Sequence, residues 1–219
     1  MFGDGEDSTI PIGKITLQGR LAVPEAARGI VLFAHGTGSS RHSPRNRFVA
    51  RSLREYGLAT LLFDLLTSDE ETLDRRTREH RFDIDLLAER LDSAANWAFQ
   101  QEAVEGLSLG YFGASTGAAA ALTAAGNYPR QVDAVVSRGG RPDLSRTDLS
   151  KVDAPTLLII GERDKPVIEM NQTAYDKLTA EKEMKIVPNA THLFEEPGAL
   201  EEVARLAGNW FREHLLNGR

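Results

Sequence analysis

Three residues of this chain could together make an activated nucleophile: Ser115, Asp164 and His192. A serine hydroxyl attacks a carbonyl at neutral pH only when a base takes its proton. The base in turn needs a partner that holds its tautomer and stabilises its charged form. His192 offers the imidazole and Asp164 the carboxylate, and they occur in the chain order Ser, Asp, His. Ser115 is the centre of Gly113-Ala114-Ser115-Thr116-Gly117, a G-x-S-x-G pentapeptide preceded by an apolar run and followed by an alanine-rich segment. That context predicts a strand, a sharp turn and a helix, with the central hydroxyl pushed out at the turn. Small residues on either side are what such a turn requires.

Each role has competitors. Glu162, Asp153 and Asp143 are alternative acids. Asp153 precedes its strand and so lies at the wrong end of it, and Glu162 stands two residues nearer the strand than Asp164. Of the other histidines, His35 directly follows a buried run and reads as a packed side chain bracing its loop. His80 falls in a charged connection, and His214 lies on the last helix, facing solvent. Acyl transfer also needs N–H donors aimed at the developing oxyanion. By position these are Thr116, just after the nucleophile, and Thr37 in the loop His35-Gly36-Thr37-Gly38, with Gly38 as an alternative to Thr37. Arg41, His42, Arg138 and Arg141 fall on loops at the same edge. The planar fork of arginine suits a carboxylate or phosphate, so together with Gly38 they are candidate substrate-binding residues for an anionic group.

The elements that must position these groups are legible as alternating apolar runs and amphipathic segments. Continuous apolar runs at 29–33, 58–66, 107–112, 132–136 and 156–160 suit strands covered on both faces, and 184–187 is a further strand. Ser43-Pro44 reads as an N-cap with proline at the first helical position, in a helix that Gly57 ends. Asp83 caps a second helix with Leu87, Leu91, Ala94 and Ala98 on one face. A last helix carries Leu200, Val203, Leu206, Ala207 and Trp210 at helical spacing. Residues 14–23 predict an antiparallel strand or hairpin broken at Gln18-Gly19, and 67–81 reads as a solvated, charged connection. This rhythm predicts a single α/β domain over 12–216: a mostly parallel sheet with helices on both faces and no large lid, behind a flexible leader at 1–11. In such sheets ligands bind at the carboxyl ends of the strands, where all the candidate residues fall.

Composition narrows the partners. The chain has 219 residues, 41% hydrophobic and 26% charged, as in one globular domain. Its formal charge of −6 offers no basic face for nucleic acid. No apolar run approaches the length of a membrane span, and the acidic start lacks the pattern of a secretory signal. Cysteine is absent, which excludes disulfides and thiolate chemistry and is compatible with the cytoplasm. A nucleotide-binding reading fails because Gly110, Gly113 and Gly117 do not space as G-x-G-x-x-G and no G-K-[ST] is present. The expected partner is a small acyl compound.

His35-Gly36-Thr37-Gly38, the pentapeptide 113–117, Gly161-Glu162-Arg163-Asp164 and Thr191-His192 together resemble the α/β-hydrolase superfamily, in its dienelactone-hydrolase-like branch, over about residues 12–216. The resemblance implies a hydrolase acting through an acyl-enzyme without metal or organic cofactor. Dienelactone hydrolases proper use a cysteine nucleophile. Here Ser115 takes that place, which points to a carboxylic ester hydrolase for generic esters, thioesters or lactones. Acyl transfer or perhydrolysis would use the same triad, and a non-catalytic relative would keep only the pocket. The short connection after 132–136 predicts an open site for small acyl groups.

Overall fold

The computed structural model describes residues 5–129 and 131–216. Eight strands form one sheet in the order β1-β2-β4-β3-β5-β6-β7-β8. They are β1 (Glu6–Ile12), β2 (Ile15–Ala22), β3 (Gly29–Ala34), β4 (Leu58–Phe63), β5 (Ser108–Ala114), β6 (Ala134–Arg138), β7 (Thr156–Gly161) and β8 (Lys182–Val187). The last six run parallel, while β1 and β2 form an antiparallel hairpin laid against β4. Every residue of β3, β4, β6 and β7 is buried, as the unbroken apolar runs predict for strands covered on both sides.

Six helices supply that cover: α1 (Pro44–Glu55), α2 (Ser68–Thr77), α3 (Ile84–Ala98), α4 (Thr116–Asn127), α5 (Lys165–Lys177) and α6 (Ala199–Phe211). On one face Leu32, Leu61 and Tyr111 pack with Leu91 of α3 and Leu122 of α4. On the other, Val31, Phe33 and Phe112 pack with Leu53 of α1 and Val203 and Trp210 of α6. Burying each such side chain contributes about 1.5–3 kcal/mol, so the two apolar layers outweigh any single polar contact in the molecule. The expected caps are present: Ser43 Oγ accepts from Asn46 N at 3.3 Å, Asp83 Oδ1 accepts from Leu86 N at 3.1 Å, and Gly57 leaves α1 at φ +78°. The connection from β6 to β7 holds only two short 3-10 turns, Pro142–Leu144 and Leu149–Lys151, so no large lid is inserted there.

Four expectations are corrected. Residues 6–11, expected as leader, belong to β1, because Ile10 faces the core and pairs with Leu17; leader residues 1–4 lie outside the described part. Gln18-Gly19 does not break β2. A β-carbon on Gly19 would fall 2.9 Å from Ile10 Cδ1 and 3.3 Å from Phe63 Cβ, so this glycine lets β1 and β4 side chains close over the strand, and the hairpin turns at Gly13 instead. The strand expected at 132–136 is shifted toward Arg138, since β6 begins at Ala134. The connection at 67–81 contains a helix, α2, over Ser68–Thr77. Its start is a reciprocal capping box: Thr67 Oγ1 accepts from Glu70 N at 3.2 Å and Glu70 Oε2 accepts from Thr67 N at 2.7 Å.

Candidate functional site

The turn between β5 and α4 is built by close approach. A β-carbon on Gly113 would fall 2.4 Å from Ala118 Cα, and one on Gly117 would fall 2.0 Å from the Ala34 carbonyl oxygen. Only glycine lets the helix start this near its own strand and β3. α4 is buried along nearly its whole length, which is why small residues fill most of it, six of its twelve being alanine and two glycine. Between these glycines Ser115 adopts φ 52°, ψ −121°, a conformation that side chains avoid. Its backbone is pinned from the next strand: Ser115 N donates to Arg138 O at 3.2 Å, and Arg141 N donates to Ser115 O at 3.0 Å.

The segment after β6 also touches the histidine. Gly139, at φ +52°, lies under His192, and a β-carbon there would sit 3.5 Å from both Cε1 and Nδ1 of the ring. Three residues of one turn thus bridge the Ser115 backbone and the His192 ring. Asp164 ends the loop after β7, and its Oδ2 stands 2.6 Å from His192 Nδ1. With the proton on Nδ1, the ring's Nε2 is left as the free basic nitrogen. The competing acids are used elsewhere. Glu162 accepts from Asn189 N at 2.8 Å and so fastens the loop that carries the histidine, while Asp143 is held in a two-point pair by Arg141, both distances 2.8 Å.

His35 has the bracing role expected of it. Its Nε2 accepts from Leu65 N at 3.1 Å and its Nδ1 meets Gly36 O at 3.0 Å, an arrangement that requires the neutral Nδ1–H form. Burial pushes its pKa below the ordinary imidazole value, against the hydrogen bond to Gly36 and the charges of Asp64 and Glu71. His214 is not solvent-facing as expected: it stacks on Trp210 at 4.3 Å between ring centroids.

The two expected oxyanion donors differ. The Thr116 amide stands at the first position of α4, where it has no intrahelical acceptor. The Thr37 amide donates to Thr116 Oγ1 at 3.0 Å, and the two threonine hydroxyls are also 3.0 Å apart. Residues 36–39 form a turn closed by Ser39 N to Gly36 O at 3.1 Å, with Gly38 at φ +69° as its i+2 residue. The Gly38 amide meets no protein acceptor among the described residues.

The anionic cradle expected from Arg41, His42, Arg138 and Arg141 is not assembled. Arg41 is bound to Asp64 through both its guanidinium and its backbone N–H, and Arg141 is bound to Asp143. His42 is exposed. Arg138 is buried on the α1 and α6 side of the sheet, with Cζ 6.0 Å from the Phe194 ring and with Nε and Nη1 sealed from solvent. Burial, and to a lesser extent the charge of Arg45, lower its pKa to about 10. Parity along β6 sets this direction, since Arg138 shares a face with Ala134 and Val136.

One feature was missed in the sequence. A pocket of about 210 Å³ opens between residues 36–39, the end of β4 and α2, and reaches Thr37 and Thr116 beside the nucleophile. Its floor is Leu65, Leu66 and Leu87. The α2 roof is anchored by Arg90 Nη2 to Glu70 Oε1 at 2.9 Å and by Asp74, whose carboxylate accepts from His80 N, Arg81 N and Arg81 Nε at 2.8–2.9 Å. Burial opposes ionisation of Asp74, but these hydrogen bonds outweigh it and hold the carboxyl below its ordinary range. The T-x-x-E spacing of Thr67 and Glu70 was the signal for this helix. Among the described residues no three His, Asp or Glu side chains gather to hold a metal ion, and no helix is long and apolar enough to cross a membrane.

Comparison with known proteins agrees with this geometry. The family model for the alpha/beta hydrolase domain matches residues 27–205. The crystal structure of a dienelactone hydrolase from Anabaena variabilis superposes with a TM-score of 0.93 at 54% identity, over 97% of this chain and 100% of that one. Est1E from Butyrivibrio proteoclasticus shares the fold at 16% identity, with a TM-score of 0.79 over 95% of this chain and 98% of that one. In two strains of Mycobacterium tuberculosis a protein named "Putative phosphoribosyl transferase" is 55% identical over 210 residues, which are 96% of this chain and 46% of the relative. The chain thus spans about half the length of these curated relatives. With its family model, its eight-stranded sheet and its strand-turn-helix at Ser115, the chain belongs to the α/β-hydrolase family, in the dienelactone-hydrolase-like branch.

Proposed function

We propose that the protein is a serine hydrolase that cleaves carboxylic esters, thioesters or lactones through an acyl-enzyme on Ser115. The observation that carries this reading is the 2.6 Å contact of His192 Nδ1 with Asp164 on the same sheet edge as the strained Ser115 turn. In the first half-reaction Ser115 Oγ attacks the carbonyl carbon while His192 Nε2 takes its proton. Asp164 keeps the Nδ1–H tautomer and offsets the positive charge that forms. The Thr116 amide donates to the oxyanion, with the second donor coming from residues 36–39. There the open Gly38 amide competes with the Thr37 amide, which would have to leave Thr116 Oγ1. The tetrahedral intermediate expels the leaving group, which takes the proton from His192. Water then attacks the acyl-enzyme, giving its proton to His192, and Ser115 is released with the carboxylic acid.

We assign the activity in the name of the mycobacterial relatives to the half of those proteins that lies beyond this chain, because the aligned half carries the hydrolase fold. Intact-mass measurement after exposure to a fluorophosphonate tests the proposal. A single adduct on the wild type that is absent from Ser115→Ala is expected, and an unlabelled, folded wild type would refute an activated serine.

A further inference from the structure

Beyond the oxyanion donors of Thr116 and residues 36–39 at its mouth, the pocket beneath α2 takes no part in the steps at Ser115, His192 and Asp164, and a role for it rests on Ser115 being the acylated residue. We infer that this pocket receives the acyl part of the substrate, that the acyl group is uncharged, and that the α2 roof limits it to about the size of one six-membered ring.

Sidedness places the acyl group. Ser115 stands at the end of β5, with β3 and β4 on one side and β6, β7 and β8 on the other. His192 follows β8, and its ring rests on Gly139, which follows β6. Because the base that takes the serine proton returns it to the departing atom, the leaving group must lie on the His192 side. The pocket is walled by residues following β3 and β4 and ends at Thr116, so it lies on the opposite side of Ser115. A carbonyl carbon held at Ser115 Oγ with its leaving group toward His192 directs its acyl substituent there.

Charge then narrows the class. Asp64, Glu71 and Asp74 line the pocket, and each is matched by an arginine: Arg41 for Asp64, Arg75 at 2.8 Å for Glu71 and Arg81 at 2.8 Å for Asp74. His35 contributes only a neutral ring. A carboxylate on the acyl group would be desolvated beside three carboxylates, with every arginine of the lining already paired, a cost that an uncharged group on the leucine floor does not incur. Size follows from the roof. A cavity of about 150 Å³ takes up benzene, so the 210 Å³ here, over a floor of Leu65, Leu66 and Leu87, has room for a ring or a short chain. The roof is tied to the turn beside the nucleophile as well as to α3, since Thr37 Oγ1 reaches Arg81 O at 3.5 Å.

The test compares kcat/KM for p-nitrophenyl acetate, butyrate, benzoate, decanoate and hemisuccinate on wild type, Leu66→Trp and Leu66→Ala, with fluorophosphonate labelling of the wild type in parallel. Wild type is expected to favour butyrate at least tenfold over both decanoate and hemisuccinate. Leu66→Trp is expected to lower the benzoate-to-acetate ratio at least tenfold, and Leu66→Ala to raise the decanoate-to-butyrate ratio. If the tryptophan variant does not fold, the alanine variant decides. Hemisuccinate turned over as well as butyrate, or ratios unmoved by substitution at Leu66 while Ser115 still labels, would overturn the inference. A wild type that does not label would overturn the esterase reading and this inference with it.

Discussion

The backbone of Ser115 offers a test that needs no substrate. At φ 52°, ψ −121° any residue with a β-carbon is strained, and such conformations cost of order 1–3 kcal/mol. Glycine escapes that cost, although at an ordinary position it is less favourable than alanine by roughly 0.5–1 kcal/mol through the freedom it gives the unfolded chain. Both substitutions remove the hydroxyl and abolish any acylation, so their difference reports on the backbone alone. At the middle of these ranges the strain wins: Ser115→Gly is expected to be more stable than Ser115→Ala by about 1 kcal/mol, the reverse of the usual order. Urea unfolding followed by circular dichroism measures this, with equal m-values as the check that both variants unfold alike. A glycine variant less stable than the alanine variant by the ordinary margin would show that the turn holds no strain. β5 and α4 would then not be forcing the serine outward.

Two other positions follow from the same geometry. His35 is held neutral with its pKa below the ordinary value, so below about pH 6.5 the unfolded chain binds a proton that the folded one refuses. Stability should therefore fall on acidification below about 6.5, at up to about 1.4 kcal/mol per pH unit from this residue, and His35→Asn should flatten that slope; equal slopes in variant and wild type would contradict the assignment. Arg138 carries a buried charge whose Nε and Nη1 meet no acceptor among the described residues, so Arg138→Met should raise the urea midpoint and leave the hemisuccinate-to-butyrate ratio unchanged. A lower midpoint, or a selective loss of turnover for the charged ester, would restore a binding role to this arginine.

How far the sequence could be read depended on the kind of signal. Runs such as 29–33 and 156–160 are apolar without alternation, so their two-sided burial was visible residue by residue. The elbow was legible because Gly113 and Gly117 are needed for contacts that no other residue allows, and a steric requirement of that kind leaves its mark on residue type. Asp164 and His192 could be placed because each follows a strand, and parallel strands deliver their ends to one edge. β1 was obscured because it is an edge strand that buries Ile10 while most of its other residues face outward, and the polar residues of 1–7 concealed the pairing partner of β2.

The arginines show where such reading stops. Loop position places a side chain at an edge, but its partner decides whether its charge is available, and partners such as Asp64 for Arg41 are distant in sequence. Arg138 was misplaced for a simpler reason: a shift of strand boundary by two residues put it inside β6, where alternation turns it into a helix layer rather than toward the substrate. The charged stretch 67–81 hid a helix rather than a burial. Most of its residues, Asp69, Arg76, Arg78 and Glu79 among them, are exposed as a solvated connection should be, while Glu70, Glu71 and Asp74 pair with Arg90, Arg75 and Arg81, and this matched cluster forms a roof. The same pairing that makes this segment look like surface leaves the charges of the pocket wall matched. That is the physical reason to expect a neutral acyl group in a chain whose arginine content suggests an anionic one.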